Sequence, residues 1–103
     1  MEKQAAAPKG YLIATFTIHD QETFQKYVEA GGHLAAKFNG KVILFDMNPK
    51  IVEGKSEAIM ALMEFATLGD VERFYNSPEY TAARQFRIAA TTSTVVLAEG
   101  LPQ

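Results

Sequence analysis

The chain has 103 residues, enough for one domain with a small core, and it has no cysteine, which excludes disulfides, thiolate metal sites and a cysteine nucleophile. Its net charge of -2 at pH 7 argues against nucleic-acid binding. No apolar run approaches the roughly 20 residues of a membrane span, so we expect a cytoplasmic protein that does not bind membranes. Residues 1–9 are predicted to be a disordered lead-in, residues 10–100 the domain, and residues 101–103 a tail.

The first predicted element is a strand from Gly10 to Ile18, a stretch rich in β-branched and aromatic residues. Side chains of a strand alternate between its two faces. One face of this strand is wholly apolar and suits a helix layer. The other carries Tyr11, Thr15 and Thr17 among apolar side chains, and we expect it to border a partly polar interior or cavity.

A helix is predicted from Gln21 to about Phe38, because apolar residues recur there at helical spacing after Asp20, a suitable N-cap. Gly31 and Gly32 lie within it and indicate either an interruption or the close approach of another backbone. Asn39 and Gly40 end the helix, and we expect Gly40 to adopt the left-handed conformation there.

Three further strands complete the sheet. Lys41 to Asp46 is predicted as the second strand, and Ile51 to Gly54 as a short edge strand that extends it. Ala58 to Phe65 is apolar on both faces until Glu64, which is typical of a central strand. Thr91 to Ala98 is the last strand.

Two consecutive helices are predicted between the third and last strands. Thr67 with Asp70 three residues later forms an approximate capping box that opens the first. Ser77 then suits an N-cap, and Pro78 falls at the first helical position, where its missing N–H has no cost. The second helix therefore runs from Pro78 to about Ala90.

The resulting order is the β-α-β-β-α-β pattern of a ferredoxin-like α+β fold, an antiparallel sheet with helices on one face. Because the strands are apolar or hydroxyl-bearing on both faces, the uncovered face should be buried by a second copy of the chain. We therefore expect a two-fold homodimer formed through the open face of the sheet.

Several motifs together resemble the family known as domain of unknown function 1330, within the dimeric α+β barrel superfamily. The resemblance extends from about Gly10 to Gly100. The motifs are Gly10-Tyr11, Asp20 before a helix with Tyr27, Gly40, Val52-Glu53-Gly54, Glu64-Phe65, the corner from Tyr75 to Tyr80, Arg87, and Leu97-Ala98-Glu99-Gly100.

The resemblance implies a homodimer whose two sheets form a barrel around a cavity, and it implies no particular activity. Superfamily relatives include cofactor-free monooxygenases, haem-degrading enzymes, lactone isomerases and stress-responsive barrels. The chain departs from the family in two places: Leu44 to Pro49 lacks the glycine-rich turn with arginine, and Lys55 follows the Glu-Gly pair where a Trp-Pro segment is common. If this edge forms the mouth of the cavity, the departures imply a different ligand.

Glu64 is the carboxylate of greatest chemical interest, because it ends a strand expected to be central. A carboxylate removed from water becomes a better proton acceptor, so one interpretation is a general base or a ligand anchor inside the barrel. The alternative is a strand-end carboxylate that reaches solvent or an arginine.

Arg84 and Arg87 share a stripe of the last helix with Tyr80 and Thr91, at helical spacing. Guanidinium groups bind planar acids through paired hydrogen bonds, which favours a clamp for a carboxylate. The alternative is a solvated face with an internal ion pair from Arg87 to Glu64 or Glu79.

The sequence predicts no metal site and no cofactor. His19 and His33 are the two histidines, and they lack the spacing of paired ligands. No phosphate-binding glycine loop and no Ser-His-Asp elbow is present.

These observations favour a homodimer that binds a small organic molecule, with an acid as one candidate, in a mostly apolar cavity. Glu64, Arg84, Arg87, Tyr11 and Thr15 are the candidate polar contacts. One alternative is a cofactor-independent enzyme, monooxygenase-like or isomerase-like, with Glu64 as its base. The other is a structural or interaction barrel without a ligand.

Overall fold

The computed structural model describes residues 7–102 as a four-stranded antiparallel sheet with helices packed on one face. The elements in chain order are β1 (Gly10–Ile18), α1 (Gln21–Gly31), β2 (Gly40–Asp46), β3 (Ile59–Phe65), α2 (Leu68–Asn76), α3 (Pro78–Ala90) and β4 (Thr91–Glu99). A short 3₁₀ turn at Ala35–Phe38 precedes β2. The strand order in the sheet is β2-β3-β1-β4, so the predicted ferredoxin-like α+β fold is confirmed.

The three predicted helix N-caps are confirmed. The side-chain oxygens of Asp20, Thr67 and Ser77 each accept a hydrogen bond from the backbone N–H three residues later, at 3.1, 3.1 and 3.2 Å. Ser77 is buried, and its hydroxyl also donates to the carbonyl of Phe74 at 2.9 Å. Pro78 occupies the first turn of α3, so this corner is held by packing and hydrogen bonds together.

The segment around Gly31 differs in detail from the prediction. The helix ends at Gly31, short of the predicted Phe38, and a separate 3₁₀ turn follows. Of the two alternatives left open at the glycines, the structure shows the interruption. Asn39, not Gly40, adopts the left-handed conformation, with φ of 65°. Gly40 instead opens β2, where a Cβ atom would overlap the ring of Phe65, so its lack of a side chain serves packing. The prediction that Gly40 adopts the left-handed conformation was therefore wrong.

The predicted edge strand at Ile51 to Gly54 was also wrong, since this segment forms a loop with Gly54 at φ of 82°. β2 pairs with β3 only up to Asp46 opposite Met60, and no strand lies beyond it to pair with the loop in the described residues.

The core lies between the sheet and the helices. Its largest fully buried side chains are Phe65, Val71, Phe74 and Tyr80, each at most 2% exposed. The rings of Phe74 and Tyr80 lie 4.4 Å apart between centroids, and Phe65 lies 5.2 Å from Phe74. This aromatic cluster fixes α2 and α3 against the central strands.

The opposite face of the sheet has no helix over it in the described part of the chain. Its central row is apolar: Ile13 of β1 is paired with Leu62 of β3 and with Val96 of β4. Ile13 and Leu62 are half-buried, and Val96 is exposed. Residues 1–6, part of the predicted lead-in, lie outside the described residues, as does Gln103. No helix within residues 7–102 has the length and apolarity that a membrane crossing requires.

Candidate functional site

An apolar cavity of about 300 Å³ lies between the sheet and helices α1 and α3. Every strand contributes to its wall, and the two helices form its roof. Its volume is at the lower end of the range for small-molecule sites, and its lining is mostly aliphatic and aromatic, as such sites require. The cavity lies on the helix-covered face, whereas the sequence directed attention to the hydroxyl-bearing face.

The floor of the cavity is a row of four residues, one from each strand. Phe45 of β2 pairs with Ala61 of β3, Ala61 pairs with Ala14 of β1, and Ala14 pairs with Val95 of β4. All four line the cavity. Because the two central residues are alanines, the floor is lowest between Val95 and Phe45, and the row forms a trough across the sheet with these two side chains at its ends.

The roof over this trough includes a position without a side chain, because α1 and α3 pack so closely that only a small residue fits between them. A Cβ atom built on Gly31 of α1 would lie 3.2 Å from the Cβ of Ala83 on α3, so only small residues fit at this contact. Both residues are buried. Gly31 also lines the cavity. Because the close approach of the helices requires a glycine here, no side chain fills this part of the cavity roof.

The cavity opens at the edge of the sheet between α1 and β2. The wall residues there are exposed apolar side chains: Val28 is 42% exposed, Val42 53% and Phe45 51%. The wall residues toward β1 and α3, by contrast, are buried, including Leu12 and Tyr80. The cavity therefore has an apolar mouth at the β2 edge and a closed end under α3.

Arg87 stands in the wall of the cavity, on α3 and near β4. Its side chain is only 6% exposed. Nη1 donates a hydrogen bond to the hydroxyl of Ser93 at 2.9 Å, and the guanidinium carbon lies 6.0 Å from the ring centre of Tyr27. Nε is buried and has no hydrogen-bond partner. Within residues 7–102, no carboxylate lies within 4 Å of this guanidinium, so neither predicted ion pair, with Glu64 or Glu79, is present.

The hydroxyls of Tyr27 and Tyr80 share a hydrogen bond of 2.8 Å beside Arg87. Burial raises the pKa of Tyr27 well above its ordinary value, and the neighbouring Tyr80 raises it further. Tyr27 therefore stays protonated at neutral pH. Because one hydroxyl of the pair donates to the other, the second hydroxyl can offer its O–H to an acceptor. With Arg87 they make the polar part of a wall that is otherwise apolar.

Three of the five predicted site residues lie on the open face of the sheet instead. Tyr11 donates a hydrogen bond to Glu64 at 3.2 Å, across the paired strands β1 and β3. Burial and then the neighbouring carboxylate raise the pKa of Tyr11. Thr15 is on the same face, opposite Thr94 of β4 and Met60 of β3. The structure thus brings Tyr11 and Glu64 together, but separates them from Arg87 by the thickness of the sheet.

The remaining predicted residue, Arg84, lies outside the cavity wall. Its guanidinium carbon sits 4.3 Å above the ring of Tyr75, a cation–π contact on the surface of the helix layer. Arg84 and Arg87 therefore do not form one clamp. Tyr27 and Tyr80 were not among the five predicted site residues, and their contact depends on how α1 packs against α3.

The two histidines take no part in a metal cluster in the described structure. His19 Nε2 lies 2.5 Å from the hydroxyl of Thr92, and His33 is exposed beyond the end of α1. Within residues 7–102, no group of three His, Asp or Glu side chains is placed to hold a metal ion.

The fold and its internal cavity place the protein among ferredoxin-like α+β proteins. Comparison with protein families then gives the assignment. The chain belongs to the family described as Domain of unknown function (DUF1330), which matches residues 9–101. A search among curated proteins finds no match.

Solved structures with the same fold come from several bacteria. A protein of unknown function from Rhodopseudomonas palustris superposes with a TM-score of 0.76 at 14% identity, covering 95% of this chain and 86% of that one. A dimeric ferredoxin-like protein of unknown function from Thermobifida fusca gives 0.64 at 13%, covering 95% and 96%. SnoaB, a cofactor-independent oxygenase from Streptomyces nogalater, gives 0.61 at 15%, covering 94% and 97%. At these identities the likeness establishes the fold.

Proposed function

We propose that the protein is a homodimer that binds a small organic acid in the cavity under α1 and α3, with Arg87 as the anion anchor. The observation that carries this proposal is the buried guanidinium in an apolar wall. Removing a charge from water is unfavourable unless the charge is paired. Arg87 has a neutral hydroxyl partner and an unpartnered Nε, and a bound carboxylate would supply the missing charge.

The chemistry of the wall favours a carboxylate over a phosphate or a cation. Guanidinium binds a carboxylate through two parallel hydrogen bonds, and the nearby pair of tyrosine hydroxyls adds one neutral donor. The rest of the lining is apolar and has no second cation, so it suits one negative charge on an apolar body.

Isothermal titration with octanoate and its neutral amide tests the anchor. A hydrogen bond to a charged group contributes about 1.5–3 kcal/mol, so the acid should bind roughly ten- to a hundredfold more tightly than the amide. Arg87→Gln should remove that preference, and Arg84→Gln, which changes an arginine outside the cavity, should keep it. Equal affinity of the wild-type protein for the acid and the amide would contradict the proposal.

The homodimer rests on the open face of the sheet. Its central residues are apolar, and some remain well exposed in the single chain, Val96 at 46% and Leu44 at 40%. The Thermobifida fusca protein of the same fold is dimeric, which supports pairing of this kind.

A charge placed on the open face tests the dimer. Ile13→Asp should convert the dimer to a monomer in sedimentation or light scattering at micromolar concentration, because an aspartate would be buried unpaired between the sheets. Ile88→Asp, on the helix layer, is the matched control and should leave the dimer intact. A wild-type monomer at that concentration would refute the assembly.

The second candidate function is a cofactor-independent enzyme with Glu64 as its base. The hydrogen bond from Tyr11 to Glu64 favours it, because it holds the carboxylate on the face that a second copy would enclose. The fold shared with SnoaB is a further, weaker support. If native mass spectrometry of the purified protein finds a retained molecule that Arg87→Gln still binds, Glu64→Gln should bind that molecule but not convert it. Full conversion by this variant would exclude the base.

A further inference from the structure

We propose that the ligand is an elongated carboxylate with an unbranched apolar chain, which lies along the trough with its acid group at Arg87 and its chain end at the β2 edge. This inference rests on the proposed acid-binding function and names the shape and orientation of the ligand.

The length of the ligand follows from the sheet. The trough crosses all four strands, from Val95 on β4 to Phe45 on β2, and its floor residues are register partners. Neighbouring strands lie about 4.8 Å apart, so three spacings give a trough of roughly 14 Å. An extended chain advances about 1.2 Å per bond, so about twelve carbons fill this length.

The shape follows from the side chains that border the trough. Alanines form the middle of its floor, at Ala14 and Ala61, while Leu12 and Met63 stand in the neighbouring row that runs from β1 to β3. On the other side of the alanines, Phe16 stacks on Phe24 of α1, with ring centres 5.6 Å apart. A groove that is low along one row and bordered by large side chains accepts a chain more readily than a wide ring system.

The orientation follows from the two ends. The buried cation and the tyrosine hydroxyl pair belong to α3 and α1 at the closed side, where a carboxylate would be removed from water and paired. At the other side Val28, Val42 and Phe45 are about half exposed. Contact with a hydrocarbon chain would remove their apolar surface from water, which is favourable in free energy. The reverse orientation would place the acid among these apolar side chains and leave Arg87 without a counter-ion.

Calorimetry with straight-chain carboxylates of four to fourteen carbons tests the inference on the wild-type protein. Burying one methylene contributes about 0.8 kcal/mol, so the association constant should rise about fourfold per carbon. The rise should stop near about twelve carbons, where the chain reaches the mouth. A compact acid of similar carbon count, 1-adamantanecarboxylate, should bind at least tenfold more weakly than decanoate.

A substitution in the floor gives an independent measurement. Ala61→Leu raises the floor at β3, two strand spacings or roughly 10 Å from β4, so the gain in affinity should end near about eight carbons. Butanoate should bind this variant as it binds the wild type. Ala82→Leu, on the exposed side of α3, is the matched control and should leave the whole series unchanged.

The outcomes separate the two proposals. If acids bind through Arg87 but the affinity does not depend on chain length, or if the adamantane acid binds as tightly as decanoate, the elongated ligand is refuted and the acid site stands. If Arg87→Gln leaves the binding of octanoate unchanged, the acid site itself fails and the inference fails with it. If Ala61→Leu does not fold, the wild-type series alone decides.

Discussion

Replacing Arg87 by methionine should make the unliganded protein more stable. Methionine has a similar length, fills irregular apolar space and carries no charge. Ser93 would lose the bond from Nη1, but its hydroxyl remains 3.4 Å from that of Thr91, so it is not left without a partner. The substitution thus removes a buried cation and does not leave the Ser93 hydroxyl without a hydrogen-bond partner.

The expected size follows from three contributions. Burying a charge costs several kcal/mol after relaxation. The hydrogen bond to Ser93 returns about 1.5–3 kcal/mol, and the ring of Tyr27 about 1 kcal/mol. With a burial cost of about 5 kcal/mol, the remainder is a net penalty of about 1–2.5 kcal/mol, which Arg87→Met should remove. Against the effect of burial, the neighbouring Tyr80 hydroxyl raises the pKa of the guanidinium, which places the expected gain toward the lower end of this range. For a domain of this size, each kcal/mol corresponds to a rise in Tm of about 4–8 °C.

Urea unfolding of the ligand-free wild type, Arg87→Met and Arg84→Met measures this difference. Arg84→Met removes a partly exposed arginine from the ring of Tyr75 and should change the free energy of unfolding by less than about 1 kcal/mol. A decrease of more than 1 kcal/mol for Arg87→Met would refute the reasoning. It would show that the contacts of Arg87 within the fold already compensate its burial, and that the guanidinium stabilises the protein without a ligand.

Three further changes follow from the packing. The raised pKa of Tyr27 means that the folded chain keeps a proton which the unfolded chain loses above about pH 10, so the free energy of unfolding should fall by up to about 1.4 kcal/mol per pH unit there. Tyr27→Phe should show a smaller fall in urea titrations between pH 9 and 11, and equal slopes would contradict the assigned burial. Ser77→Ala should lower the free energy of unfolding by about 1–2 kcal/mol, because it removes the buried cap of α3; a change below 0.5 kcal/mol would argue against that cap. Gly40→Ala should lower it by about 1–3 kcal/mol through overlap with Phe65, and thermal unfolding with an unchanged Tm would show that the ring can move aside.

Local signals in the sequence predicted the helices and strands well, because each depends on residues close together in the chain. The caps at Asp20, Thr67 and Ser77 combine a hydroxyl or carboxyl oxygen with an amide three residues later, and such a pattern is visible without a structure. The prediction for Gly40 was wrong because a residue far away in the sequence determines which side chain fits at that position. Gly40 is a glycine because of the ring of Phe65, 25 positions away, and not because the helix before it needs a left-handed residue.

The cavity depends on pairings that no local pattern contains. Ala14 and Ala61 are ordinary strand residues until the register places them side by side. Tyr27 and Tyr80 are 53 positions apart, and their hydroxyls meet because Gly31 lets α1 approach α3. Arg87 was a candidate from its residue type and helical position, but its lack of a carboxylate partner is a property of the packed chain.

The two alanines of the trough have a consequence for how this scaffold can diversify. They project from the two central strands, β1 and β3, whose hydrogen bonds do not depend on the size of these side chains. Exchange of Ala14 or Ala61 for serine, valine or leucine would change the depth of the trough while the caps, the aromatic cluster and Arg87 remain in place. Under the proposed acid-binding function, single substitutions in such a lineage would adjust the length of the accepted molecule independently of the charge that anchors it.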